Sequence, residues 1–186
     1  MKISHFILIT ALLLLIPKAH CAFLVEPYFG HTAGKYKENS NRGDADGFVH
    51  GFRLGYIGTL FISGLDISLQ YPEFSSSFLS EGEEKTYRTA NVGLFLGAIT
   101  PNYKITFAYM ASSLQKKNGN PQKRIYFADT LKYTVGVRLF WRVFFNVEYL
   151  HSVYDEYEEN RDLTYGITPY STDSLQGTLS VVWSIL

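Results

Sequence analysis

The segment from Leu131 to Val153 shows a clear alternation of apolar and polar side chains. Up to Trp141 the odd-numbered positions carry large apolar side chains. The even-numbered positions between them are small or polar: Lys132, Thr134, Gly136 and Arg138. A period of two residues is typical of a β-strand with two different faces. The alternation resumes at Val143 after almost no connecting residues, so the segment predicts two antiparallel strands joined by a tight turn.

Six further segments alternate in the same way, at residues 23–36, 48–57, 61–71, 85–97, 103–112 and 173–186. Short connections near Gly58, Pro101 and Trp141 separate some of these strands, and long polar segments separate the others. The long segments, predicted as loops, are residues 37–47, 72–84, 114–129 and 155–172. An up-and-down sheet of this kind loses both free edges when its first strand pairs with its last. The pattern therefore predicts an all-β fold, an eight-stranded antiparallel barrel.

The alternation alone does not decide whether the apolar face points inward or outward. The polar face is rich in glycine, which suits the narrow interior of an eight-stranded barrel. Those glycines are Gly51, Gly55, Gly64, Gly93, Gly97 and Gly136. Short turns and long loops alternate strictly, as in outer-membrane barrels. We therefore predict a transmembrane barrel with its apolar face toward lipid, since about ten residues of tilted strand cross a hydrocarbon layer.

Aromatic side chains lie at both ends of the predicted apolar face. Such residues form girdles at the two membrane–water interfaces of transmembrane barrels. The predicted girdle residues are Tyr56, Tyr71, Tyr103, Tyr109, Tyr133, Trp141, Tyr149 and Trp183.

The first residues of the chain predict export. Lys2 precedes an apolar run from Phe6 to Ile16, and small residues end at Cys21 before a predicted cleavage site ahead of Ala22. The run is too short for a membrane-spanning helix. We therefore predict a signal peptide over residues 1–21 and a barrel domain over residues 22–186. Lys18 and His20 fit a lipoprotein signal poorly, so we do not expect Cys21 to be lipidated.

Composition changes this picture little. Without residues 1–21 the chain keeps 15 basic and 17 acidic side chains, and this balance gives no basic excess for binding nucleic acid. The 14 Tyr, 14 Phe and 15 Gly suit a strand-rich fold. No cofactor or metal motif is expected, and a monomer is favoured.

The whole mature chain resembles the small outer-membrane β-barrels of the OmpA and OmpX type. The opening VEPYFGHTAGKY is similar to the first strand common in that family. The resemblance implies a bacterial outer membrane as the location, and lipid and lipopolysaccharide as neighbours. The chain departs from the family at its end, which reads Trp183, Ser184, Ile185, Leu186 instead of finishing on an aromatic residue.

The polar face carries seven charged side chains that would point into the barrel interior. They are Glu26, Arg53, Asp66, Lys104, Lys132, Arg138 and Glu148. Buried charges need partners, and counting from the turns predicts an Arg138–Glu148 pair and an Arg53–Asp66 pair. One hypothesis is that the network fills and rigidifies the barrel. The alternative is that it gates a narrow ion channel.

Lipid A acyl chemistry is the rival function, because some eight-stranded outer-membrane barrels act on lipid A acyl chains. The candidate residues are Glu148, His151 and Ser152. Consecutive residues of a strand point to opposite faces, so His151 and Ser152 do not form a catalytic pair. We expect His151, His31 and His50 to lie near the outer rim and the protein to be non-enzymatic.

The polar segments offer weaker signals. Residues 42–44 match an Arg-Gly-Asp adhesion tripeptide, and Asp44, Asp46 and Gly47 resemble part of a calcium loop without the rest of its spacing. The third polar segment is basic and the fourth is acidic: Lys116, Lys117, Lys123 and Arg124 against Asp155, Glu156, Glu158, Glu159 and Asp162. They could attract each other, engage lipopolysaccharide phosphates and their divalent ions, or remain solvated. The sequence favours a structural or surface-interaction role.

Overall fold

The computed structural model describes residues 22–38, 41–74, 87–116, 124–159 and 162–185. The predicted signal peptide lies outside these residues. Within them no helix is long and apolar enough to cross a membrane.

The described residues form one antiparallel sheet that closes on itself. Its strands are β1 (Ala22–Glu38), β2 (Asn41–Ile57), β3 (Phe61–Phe74), β4 (Tyr87–Ile99), β5 (Tyr103–Lys116), β6 (Arg124–Phe140), β7 (Val143–Glu159), β8 (Asp162–Val181) and β9 (Trp183–Ile185). The short β9 continues β8 beyond Val182, and both pair with β1, which also pairs with β2. The wall therefore has eight strands, and the predicted closed barrel is confirmed.

The stagger of the strands fixes the size of the interior. We start at Tyr28 on β1 and move from each residue to its partner on the next strand around the barrel. This path returns to β1 at Glu38, ten residues from where it began. Such a stagger tilts the strands against the barrel axis, and eight strands then leave an interior that side chains just fill. The cross-section has no room for a wide pore.

The hairpin of β6 and β7 has the predicted form. Tyr133 lies opposite Tyr149 and Val135 opposite Val147, so apolar residues of both strands share one face. Trp141 occupies the turn with φ of 43°. This turn and those at residues 58–60 and 100–102 mark one end of the barrel, called the turn end here, and the opposite end is the far end.

The predicted boundaries of the polar segments are wrong, because the strands continue into them. β1 and β2 remain paired up to Glu38 and Asn41, and β7 and β8 up to Glu159 and Asp162. The backbone hydrogen bonds of a hairpin do not require an apolar face, so polar residues on both faces were misread as loops. The Arg-Gly-Asp tripeptide therefore lies entirely within β2, where Gly43 is opposite Tyr36.

The outer surface of the barrel is apolar around its middle. The side chains of Ile105, Val135 and Val147 lie opposite one another on β5, β6 and β7, and all three are exposed. Their even-numbered neighbours Lys132, Thr134 and Asn146 are buried inside. The predicted assignment of the two faces is therefore confirmed.

The predicted girdle residues all lie on this outer surface. Seven of them have exposed side chains, and Tyr71 is partly exposed. Tyr133 stacks on Tyr149, and Phe107 contacts Tyr133 edge to face, so the far-end aromatics touch one another. The two rows border the apolar band.

Two apolar groups fill the ends of the interior. The turn-end apolar cluster consists of Leu24, Ile62, Phe95, Ile99, Ala108, Met110, Phe144 and Val182. The far-end tyrosine cluster consists of Tyr36, Tyr87, Leu114, Ala128 and Tyr154. On β1 the sequence from turn end to far end is Leu24, Glu26 and Tyr36, so charged residues lie between the two clusters.

One interior glycine makes room for a large side chain. A Cβ atom on Gly51 would lie 2.4 Å from the carbonyl oxygen of Ile67 and 2.7 Å from the ring of Tyr28. Any larger residue at this position would displace Tyr28, whose role in the site is described below. The space that the Tyr28 ring occupies therefore explains why at least one position of the inner face is glycine.

Candidate functional site

Six of the seven charged residues predicted for the interior meet in one buried cluster. We call Glu26, Arg53, Asp66, Lys104, Lys132 and Glu148 the charged cluster; every member has a relative exposure of 1% or less. The first three lie side by side on β1, β2 and β3, where Arg53 is opposite both Glu26 and Asp66. The staggered strands bring the other three across the narrow interior.

Arg53 is the centre of the charged cluster, because it contacts all three carboxylates. Its Nη1 lies 3.1 Å from Glu26, its Nε 3.0 Å from Asp66, and its Nη2 2.7 Å from Glu148. The predicted Arg53–Asp66 contact is among them. A guanidinium suits this position because its donors point in fixed, divergent directions.

The two lysines complete the network. Lys104 contacts Glu26, and Lys132 Nζ lies 3.0 Å from Asp66 Oδ2 and 2.8 Å from Glu148 Oε2. Three cations thus face three carboxylates, so the formal charge of the cluster is zero. Charges removed from water are tolerated only when such pairing compensates their lost hydration.

Tyr28 belongs to the charged cluster, although the sequence did not assign it there. Its hydroxyl donates to Asp66 at 2.6 Å and accepts from Lys132 at 3.2 Å. The Arg53 guanidinium carbon lies 4.6 Å and Lys132 Nζ 4.7 Å from its ring centre. The sequence does contain a sign of this role, because Tyr28 lies two residues after Glu26 and therefore on the same face of the same strand.

Arg138 does not join the cluster, and the predicted Arg138–Glu148 pair is wrong. Arg138 lies opposite Phe144 and Glu148 lies opposite Thr134, so four residues of each strand separate the two pairs, and the Arg138 side chain is exposed. Its guanidinium carbon lies 5.6 Å from the centre of the Phe144 ring. Glu148 lies further from the turn and binds Arg53 and Lys132 instead.

A layer of hydroxyl and amide side chains lies between the charged cluster and the far-end tyrosine cluster. The Ser112 and Thr130 hydroxyls lie 2.6 Å apart, and Thr130 donates to Ser152 at 2.7 Å. The Asn91 amide donates to the Ser68 hydroxyl at 3.0 Å. This polar layer is a third element of the interior.

The residues considered for lipid chemistry lie on opposite sides of the wall. Ser152 is inside and bonded to Thr130, whereas His151 is outside with Nδ1 2.8 Å from Asp173 Oδ1. Glu148 is inside as well, in the charged cluster. No Ser–His–Glu arrangement forms from these three residues.

The outward His151 belongs to a small polar group at the far-end girdle. The hydroxyl of Tyr149 donates to Asp173 at 2.6 Å. Asp173 lies beyond the girdle tyrosines, outside the apolar band, and the hydrogen bonds from Tyr149 and His151 lower its pKa. His31 and His50 are also exposed on the outer surface, against Phe48 and Tyr71. All three histidines therefore lie where the sequence placed them.

The acidic and basic polar segments approach each other along β6 and β7. The register places Arg124 opposite Glu159 and Ile125 opposite Glu158. Lys117 and Lys123 lie outside the described residues. In the part of the chain that the structure describes, no three His, Cys, Asp or Glu side chains are grouped to hold a metal ion.

Comparison with known proteins identifies the fold and not a sequence family. No protein-family model matches the chain, and no curated protein matches it. Two solved structures of Ail, the attachment invasion locus protein of Yersinia pestis, superpose with TM-scores of 0.57 and 0.55 at 8% and 9% identity. Each covers 87% of this chain and 99% of the Ail chain, and the second is in complex with the heparin analogue sucrose octasulfate.

Neisserial surface protein A gives a similar result. Its TM-score is 0.54 at 10% identity, and the superposition covers 87% of this chain and 97% of that one. The closed sheet and the number of its strands agree with these structures. The chain therefore has the fold of the small eight-stranded outer-membrane barrels.

Proposed function

We propose that this protein is a non-enzymatic outer-membrane barrel with a structural or surface-interaction role and a plugged interior. The observation that carries the proposal is the charged cluster, which is uncharged overall and buried between two apolar clusters. The apolar band and its aromatic borders suit a bilayer. In this orientation the turn end faces the periplasm and the far end faces outward. Cleavage before Ala22 stays a prediction.

The plugged interior favours this role over ion conduction. An ion crossing the barrel would have to separate Arg53 from three carboxylates at 2.7–3.1 Å and then pass the turn-end apolar cluster. Each step exposes an unpaired charge to a medium of low polarity. The same cluster stiffens the barrel, because it ties β1, β2, β3, β5, β6 and β7 together.

The surface-interaction part of the proposal rests on the length of the strands. β1, β2, β7 and β8 continue well beyond the far-end girdle, so their paired hairpins project past the apolar band. Exposed charged residues cover this projection, among them Lys35, Asp44 and Asp46. Such a surface would meet lipopolysaccharide headgroups first and any external ligand next.

Reconstitution into a planar bilayer tests the plugged interior. We expect no current steps from the wild-type barrel, while an open porin in the same bilayer serves as positive control. Current steps that disappear in Glu148→Gln but persist in Arg138→Ala would contradict the proposal and establish a channel through the charged cluster. Arg138 is the matched control because it lies outside that cluster.

Incubation with lipid A vesicles tests the non-enzymatic part. We expect the mass of lipid A to remain unchanged, because Ser152 and His151 lie on opposite faces of the wall. Loss or transfer of an acyl chain by the wild type, absent in His151→Asn, would reject this part and leave the plugged interior untouched.

A further inference from the structure

The polar layer of the interior encloses a small chamber above the charged cluster. Its volume is about 40 Å³. The polar side chains lining it include Thr32, Gln70, Thr89, Asn91, Ser152 and Ser174. A cavity holds water when it is lined by polar groups and offers at least 10–15 Å³ for the centre of the molecule, as a rough guide. The chamber meets both conditions.

Gln176 supplies an independent observation beside this chamber. Its side chain is 1% exposed, yet neither its amide nitrogen nor its amide oxygen has a hydrogen-bond partner among the described residues. It lies between Thr32 on β1 and Glu148 on β7, and two residues from Ser174, so it separates the chamber, which Thr32 and Ser174 line, from the charged cluster. A buried amide without partners loses its hydration without compensation, so such groups normally bind protein or water.

The chemistry of the surroundings selects water over other small ligands. The charged cluster below is already balanced, so an added ion would bring an uncompensated charge. The amide of Gln176 needs both donors and acceptors, and water provides both. An apolar molecule would leave the hydroxyls of the lining unsatisfied.

The exposure of the lining indicates where water enters. Ser174 and Gly34 face the interior and are nevertheless partly exposed, and both line the chamber. At the opposite end, the side chains of Leu24, Ile62 and Phe144 are buried in the turn-end apolar cluster. The route therefore opens at the seam between β1 and β8, on the far-end side.

We infer that this chamber is a hydration site, in which ordered water molecules bind the Gln176 amide and exchange only with the far-end side. The inference goes beyond a plugged barrel, since a plug needs no water. It makes the interior asymmetric: water exchanges with the far-end side above the charged cluster, whereas the turn-end apolar cluster closes the interior below it.

Nuclear magnetic resonance of the barrel in detergent micelles tests the site directly. We expect cross-peaks between water and the side-chain amide protons of Gln176, with the sign of long-lived bound water. The control is the Nε proton of Arg53, which is donated to Asp66 at 3.0 Å within the charged cluster. This proton should show no such cross-peak. Absence of the cross-peaks at Gln176 as well would overturn the inference.

Cysteine labelling tests the side of entry. In a chain with Cys21 replaced by serine, Ser174→Cys is expected to react completely with a small water-soluble thiol reagent. Ala108→Cys, inside the turn-end apolar cluster, is expected to remain unlabelled in the folded barrel. Labelling of both positions would show that the turn end is not closed to water and would overturn exchange from the far-end side only, and labelling of neither would overturn entry from the far end.

Discussion

Replacing Arg53 by methionine is expected to lower the free energy of unfolding of the barrel by about 3–5 kcal/mol. The methionine keeps much of the length of the side chain but removes the cation that contacts Glu26, Asp66 and Glu148. Two lysines then face three carboxylates in the interior, so one negative charge stays uncompensated. Removing one partner of a buried ionic group is much more costly than the net stabilisation that the intact group provides.

Denaturant titration in detergent measures this effect, with the fluorescence of Trp141 and Trp183 as the signal of unfolding. The matched control is Arg138→Met, which removes the same charge from an exposed position outside the charged cluster. We expect a change below about 1 kcal/mol there. Equal losses in the two variants would show that net charge, and not the contacts of Arg53, determines the stability.

The alternation of side chains predicted the barrel, and the glycines of the polar face together with the alternating short and long connections predicted which face points inward. The alternation succeeded because outward residues meet an apolar solvent and inward residues meet one another, so the two faces differ at every step along the strand. Glu26, Arg53 and Asp66 followed from the same alternation, together with the position of the turn between β2 and β3. Their direct neighbourhood is a consequence of regular register.

The same reasoning failed for Arg138, because the count of residues from the turn was wrong. Arg138 lies opposite Phe144 beside the turn, whereas Glu148 lies opposite Thr134, deeper in the barrel. Contacts between side chains on opposite sides of the barrel interior could not be predicted from the sequence either. Lys104 with Glu26 and Arg53 with Glu148 join strands that are not neighbours, and only the stagger of the closed barrel brings them together.

The alternation of side chains also failed to predict where the strands end in the polar segments. Beyond the apolar band both faces of a strand meet water, so the pattern disappears while the backbone pairing continues to Glu38 and Glu159. The chamber beside Gln176 was equally hidden, because a glutamine on an inner face looks like any other polar residue in sequence. Its missing partners became visible only once the neighbouring side chains were placed.

Replacing Val135 by arginine is expected to lower the free energy of unfolding in lipid vesicles by about 2–4 kcal/mol. Val135 is 52% exposed and lies between Ile105 and Val147, within the apolar band on the turn-end side of Tyr133. If that band faces acyl chains, the guanidinium at this depth loses its hydration and finds no partner. Urea titration of the barrel in vesicles measures the difference from the wild type.

Val153→Arg is the matched control, because Val153 is the same residue on the same outer face of the same hairpin. It is 36% exposed and lies four residues beyond Tyr149 of the far-end girdle, where an arginine reaches headgroups and water. Near the interface the same substitution costs about 0–1 kcal/mol. A soluble barrel would show no such dependence on depth, since both positions would then face water. Equal small effects at the two positions would therefore remove the lipid-facing orientation on which the proposed function depends.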